Sequence, residues 1–128
     1  RPATDPLTRN WVWHLGRPLD LEAMNAAAAA FVGEHDFASF CRQRPGATTV
    51  RHVLEAGWWA EEHRVVFGVT AKAFCHQMVR SLVGFCVDVG LGRRRAEEVP
   101  EVIAARDRQR VGTIAPPHGL VLWEVGFS

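Results

Sequence analysis

Arg80 stands in the middle of the mostly apolar stretch AFCHQMVRSLVGFCVDVG, Ala73 through Gly90. A guanidinium stays charged at any ordinary pH. It offers its donors in a planar fork that fits a carboxylate or a phosphate through two parallel N–H bonds. Read as a helix, the stretch puts Phe74, Cys75, Met78, Val79, Leu82, Phe85, Cys86 and Val89 on one wide apolar face. Gln77, Arg80, Ser81, Gly84 and Asp88 recur at spacings of three and four and make a narrow polar stripe, with His76 on its shoulder one turn before Arg80. Two readings stand side by side. The stripe is the solvated edge of an amphipathic helix, or it is a site in which the small Ser81 and Gly84 let a ligand or another backbone come close to Arg80.

The neighbouring side chains narrow the chemistry. A lone helical histidine such as His76 ordinarily satisfies a local hydrogen bond, so no metal site is expected there. Adjacent residues on a helix point about 100° apart, which makes Cys75 and His76 a poor nucleophile and base pair. Cys75 and Cys86 fall on nearly the same side and read as small core hydrophobes. In GEHDFASF, the residues Glu34, His35 and Asp36 form either an acid–base cluster or a polar loop leaving a helix, with Asp36 bonded to nearby backbone amides. In ARDRQRVG, the residues Arg106, Arg108 and Arg110 make the most basic segment, with Arg93, Arg94 and Arg95 as its rival. Either run can track phosphates. The interleaved Glu97, Glu98, Glu101 and Asp107 make a solvated, salt-bridged surface the alternative.

The elements that must position these residues are legible from pattern. WVWHL, residues 11–15, reads as a strand that Pro18 breaks. Asp20 caps a helix through LEAMNAAAAAFV, with Leu21, Met24, Ala28 and Phe31 on one stripe and Gly33 as its stop. TTVRHVLEAGWWAEE and HRVVFGVTA read as two strands joined by a tight, charged connection, and the arginine-bearing helix comes after them. A short helix centred on EVIAARD and a last strand, LVLWEVGF, complete the chain. That order predicts an α+β fold, a ferredoxin-like β-α-β-β-α-(α)-β sandwich, with an antiparallel sheet and its helices on one face.

Composition bounds the rest. A chain of 128 residues, 48% of them hydrophobic, is expected to be one domain with a real core across residues 1–128. It has no apolar run long enough to span a membrane, and RPATDPLTRN has no signal-peptide core. Three cysteines without a C-x-x-C spacing argue against a disulfide framework or a zinc site, and a reduced, cytoplasmic protein is the default. The net charge of +1 announces no nucleic acid by itself. Lys72 is the only lysine, which reflects either a GC-rich genome or a preference for guanidinium at phosphates.

Three segments carry more than their physics. AFCHQMVRSLVGF, GEHDFASFC and IAPPHGLVLWEVGF together resemble motifs of the tRNA pseudouridine synthase A family, and the resemblance runs from about Asp5 to Phe127. It implies the C-terminal half of that family's catalytic core and half of the pseudouridine synthase fold. By position Arg80 matches the family's active-site basic residue and Leu120 its apolar residue lining the base pocket, while His76 and Gln77 would contact RNA nearby. The implied activity is isomerisation of uridine to pseudouridine in the anticodon stem-loop of tRNA, with no metal and no cofactor. The family's nucleophilic aspartate and its active-site tyrosine belong to its N-terminal half. This sequence has neither that aspartate's context nor any tyrosine. The implied partners are therefore tRNA and the N-terminal half of the same enzyme, in a homodimer when full length, and the chain alone is expected to be inactive.

Two rivals stay open. One is a non-catalytic RNA-binding module of ferredoxin-like fold, with Trp58 and Trp59 stacking bases from a strand end. The other is a small-molecule or protein-interaction domain whose arginines reflect codon usage alone.

Overall fold

The computed structural model describes residues 6–14, 18–42, 45–62, 64–75, 77–112 and 125–126. Among them are five strands, namely β1 (Leu7–His14), β2 (Gly33–Asp36), β3 (Val50–Glu61), β4 (Arg64–Ala71) and β5 (Val125–Gly126). Three α-helices accompany them, α1 (Leu21–Ala30), α2 (Met78–Gly90) and α3 (Val99–Ala105). The strands form one antiparallel sheet in the order β2-β3-β4-β1-β5. Without β2, that is the strand order of a ferredoxin-like sandwich, as expected.

Local chemistry explains most of the element ends. The Asp20 carboxylate accepts from the Ala23 amide at 3.1 Å and so caps α1, as its position in the sequence predicts. The chain leaves α1 through Gly33, whose φ of +120° suits glycine alone. The segment GEHD, expected to be a polar loop, is instead strand β2, paired with Val50–Val53 of β3. None of its four residues has strong strand propensity, and the neighbour's backbone dictates the conformation. A register shift between Val53 and Glu55 marks a bulge in β3, so Val53 and Trp58 both reach the helix side. Where β3 runs beyond β2, its edge is closed from α1: Asn25 accepts from the Trp58 amide at 2.8 Å and donates to the Trp58 carbonyl at 3.0 Å.

Helix α2 starts later than its apolar periodicity suggests. Gln77, at φ 68°, is left-handed, so Phe74 and Cys75 belong to the approach rather than to the helix. α3 overlaps the stretch EVIAARD on which a short helix is expected, and it has Pro100 in its first turn, where proline's missing N–H costs nothing.

The core lies between the sheet and the helices. Trp11, Met24, Phe31, Trp58, Phe67, Leu82 and Phe85 are all buried there. Phe31, Phe40 and Phe85 meet edge to face with centroids 5.2–6.1 Å apart. Arg94 lies over the Phe85 ring at 4.4 Å, donates to the Val111 carbonyl at 2.6 Å and pairs with Glu98, so this arginine is part of the scaffold. Cys41 and Cys75 are joined as a disulfide with Cα atoms 5.6 Å apart, within the span such a bond bridges. This corrects the expectation of no disulfide. The two cysteines are 34 residues apart, and only the fold brings them together.

Candidate active site

The entry to α2 is built from both sides. Cys75 ties it to Cys41, just after the 3-10 turn Ala38–Phe40, and the Met78 amide donates to the Cys75 carbonyl at 3.1 Å. Gln77 then takes its left-handed conformation, and its carbonyl accepts from the Ser81 amide at 3.0 Å to close the first helical turn. Gln77 has no capping side chain to offer this helix. Its amide oxygen instead accepts from Nη1 of Arg80 at 2.8 Å. One donor of the fork is therefore pinned from the residue just before the helix, and Arg80 as a whole is half-buried.

The polar stripe is not a solvated edge. Ser81 is 1% exposed and Asp88 6% exposed, and Gly84 is buried. Asp88 faces Arg93 at 3.7 Å. Among the described residues, the Ser81 hydroxyl has no side-chain or backbone partner. Helical periodicity identifies which residues share a side of α2. It carries no information about the cover over that side, which is set by other parts of the chain.

Of the residues expected at the site, Arg80 and Gln77 are in direct contact, with Gln77 holding the arginine. His76 and Leu120 lie outside the described residues. One neighbour escapes a reading of the sequence: Arg9 of β1, whose guanidinium lies 5.4 Å from the centre of the Phe74 ring, on the approach to α2. Only the strand pairing reveals it. Cys86 is on α2 as well, but burial pushes its thiol up to about 12, so it stays protonated and is no nucleophile.

The second basic segment is held apart by its own contacts. Arg106, left-handed at φ 49°, ends α3 and faces Asp36 at 3.9 Å. Arg110 pairs with Glu101 at 2.8 Å on the surface. Arg108 has one guanidinium nitrogen buried without a partner among the described residues. The Glu34–Asp36 cluster is architecture: Asp36 accepts from the Ala38 amide at 3.1 Å and from the Thr49 hydroxyl at 2.5 Å. Ser39 links the same turn to α3 by donating to the Val102 carbonyl at 2.7 Å and accepting from the Asp107 amide at 2.7 Å. Among the described residues, no group of three or more His, Cys, Asp or Glu side chains can hold a metal ion. No described helix is long and apolar enough to cross a membrane.

Comparison with known proteins adds an independent line. A family model described as tRNA pseudouridine synthase matches residues 27–128. The tRNA pseudouridine synthase A of Streptomyces griseus is 51% identical over 126 residues, which is 96% of this chain and 44% of the relative. That of Halalkalibacterium halodurans is 40% identical over 118 residues, 91% of this chain and 45% of the relative. That of Myxococcus xanthus is 43% identical over 131 residues, 99% of this chain and 49% of the relative. The chain thus spans about half the length of the curated relatives it matches.

Proposed function

Since the chain belongs to the tRNA pseudouridine synthase family, we propose that it is the C-terminal half of such an enzyme's catalytic core and that Arg80 is its catalytic residue. The reaction detaches the base of a uridine from its sugar, turns it and rejoins it through carbon. It needs a carboxylate kept ionised and aimed at the flipped nucleotide. A guanidinium beside that carboxylate lowers its pKa and fixes its orientation. The carboxylate comes from the N-terminal half of the same enzyme, so this chain alone is inactive. Leu120 lines the base pocket, His76 lies beside the RNA, and Gln77 acts as a positioning residue for Arg80. The substrate is the anticodon stem-loop of tRNA, and Arg106, Arg108 and Arg110 lie along its phosphates. The full-length enzyme is a homodimer that uses no metal or cofactor.

The observation that carries this reading is the bond from Arg80 to the Gln77 amide oxygen at 2.8 Å. A fork pinned at one donor by its own chain is preorganised, as electrostatic catalysis requires. The rival reading as a non-catalytic module with paired stacking tryptophans loses its pair. Trp58 is 4% exposed and packs on Phe67 with centroids 5.0 Å apart.

The test is steady-state kinetics of the full-length protein on unmodified tRNA. Arg80→Ala is expected to lower turnover about 100-fold or more and to change tRNA affinity by less than about threefold. Equal losses in turnover and affinity would make Arg80 a phosphate contact and overturn the assignment.

A further inference from the structure

The sheet face away from the helices has a pocket whose lining includes neither Arg80 nor Gln77 among the described residues. Three cross-strand rows build it. Glu55, Thr70 and Thr8 form one row, Gly57, Gly68 and Asn10 the next, and Trp59, Val66 and Val12 the third. The middle row opposes two glycines, so the face sinks between its neighbours. The result is a cavity of about 320 Å3 whose lining includes Thr8, Asn10, Glu55, Trp59, Gly68 and Thr70. A Cβ on Gly68 would come within 2.8 Å of the six-membered ring of Trp59, which leans over that glycine.

Trp59 is anchored rather than loose. Its Nε1 donates to the Glu61 carboxylate at 2.7 Å, and Arg64 pairs with the same carboxylate at 2.8 Å. Trp59 nonetheless remains 41% exposed. On the far wall the Thr8 and Thr70 hydroxyls are bonded to each other at 2.9 Å. The pocket therefore joins a fixed aromatic surface to a carboxylate, an amide and two hydroxyls, and none of these six residues is cationic. Such a set suits a flat heterocycle bearing N–H donors and carbonyl acceptors, and it disfavours a phosphate. The volume lies at the lower end for small-ligand sites, which fits one ring system with its sugar.

We propose that this pocket takes an unstacked nucleobase of the RNA substrate, laid against Trp59 and read by Glu55 and Asn10. The proposal rests on the reading of the protein as a tRNA-modifying enzyme. It adds a base contact separate from the one at Arg80. Unpaired bases in RNA loops are recognised in this manner, by stacking on an aromatic side chain and by hydrogen bonds along their edges.

The experiment is titration of the full-length protein with unmodified, in vitro transcribed tRNA, followed by affinity and by tryptophan fluorescence. Trp59→Ala is expected to bind about tenfold more weakly and Trp59→Phe within about threefold of the parent, the pattern of one base–aromatic stack. The tRNA-induced quenching assigned to this indole should vanish in Trp59→Phe, a variant that keeps a ring in place and does not depend on how the alanine variant folds. Unchanged affinity in Trp59→Ala, or identical quenching in Trp59→Phe, overturns the proposal. Quenching of Trp59 by uridine monophosphate but not by tRNA also overturns it, since the pocket would then serve free nucleotides. If Arg80→Ala abolishes pseudouridine formation while Trp59→Ala keeps full affinity, the pocket fails and the enzyme reading stands. If the parent binds no tRNA, both fail.

Discussion

Trp58 and Trp59 are neighbours in β3 with opposite surroundings, and they epitomise the two faces of the sheet. Trp58 points to the helices, is 4% exposed and packs on Phe67. Trp59 points the other way, is 41% exposed, and has its indole N–H bonded to Glu61. The helix side is filled by large apolar residues. The other side alternates small, polar and aromatic residues around a hollow. Apolar filling stabilises the fold, and the hollow leaves room for a ligand, so one strand serves both purposes through its two-residue period.

The largest expected difference between the faces is in stability. Trp58→Ala should destabilise the protein by about 3–5 kcal/mol, as loss of a buried indole ordinarily does. Trp59→Ala should cost about 1 kcal/mol or less. Urea unfolding with unchanged m-values measures both, and comparable losses would break the distinction.

A smaller effect separates two glycines. Gly90 closes α2 against α1, where a Cβ would meet Met24 Sδ at 2.5 Å and Cγ at 2.9 Å. Gly90→Ala should therefore cost about 1–3 kcal/mol through overpacking. On the open face, Gly68→Ala meets the six-membered end of the Trp59 ring, which can tilt outward into solvent while its N–H stays on Glu61, and should cost under about 1 kcal/mol. The same unfolding assay compares them, and a larger loss at Gly68 would show that its face is as tightly packed as the core.

The smallest effect concerns pH and the helix layer alone. Burial raises the Cys86 thiol to about 12, whereas an unfolded thiol titrates near about 8.5. The native state thus favours the protonated form. Its contribution is complete below the unfolded value and is lost as pH rises toward the folded one. At about pH 9.5 the loss should approach 1.4 kcal/mol. The chain has no tyrosine and one lysine, so few other side chains titrate in that window. Cys86→Ala should flatten the slope of stability against pH there, and an unchanged slope would refute this account.

Much of the fold is legible in the sequence, for reasons that particular residues make plain. Asp20 announces α1 because capping is a contact between residues three apart. The paired strands of Val50–Glu61 and Arg64–Ala71 announce themselves by β-branched and aromatic content. β2 does not, because Gly33–Asp36 is a strand only through its partner. The start of α2 is hidden because Phe74 and Cys75 continue its apolar spacing, while the break at Gln77 is a backbone event that no residue type signals. Arg80 stands out as a charge in an apolar stretch, but the hand that holds it, Gln77, emerges only with the geometry. The pocket beside Trp59 depends on two glycines meeting across strands, a coincidence of register that a linear reading cannot foresee.

The side chain of Asn25 gives the sheet a limit on one flank. A strand edge is an invitation to any passing extended chain, since its unpaired amides and carbonyls are templates. By bonding both backbone groups of Trp58, this one carboxamide takes two positions on that edge out of an intruder's reach. Lateral growth at that point is therefore refused by a helix residue rather than by another strand.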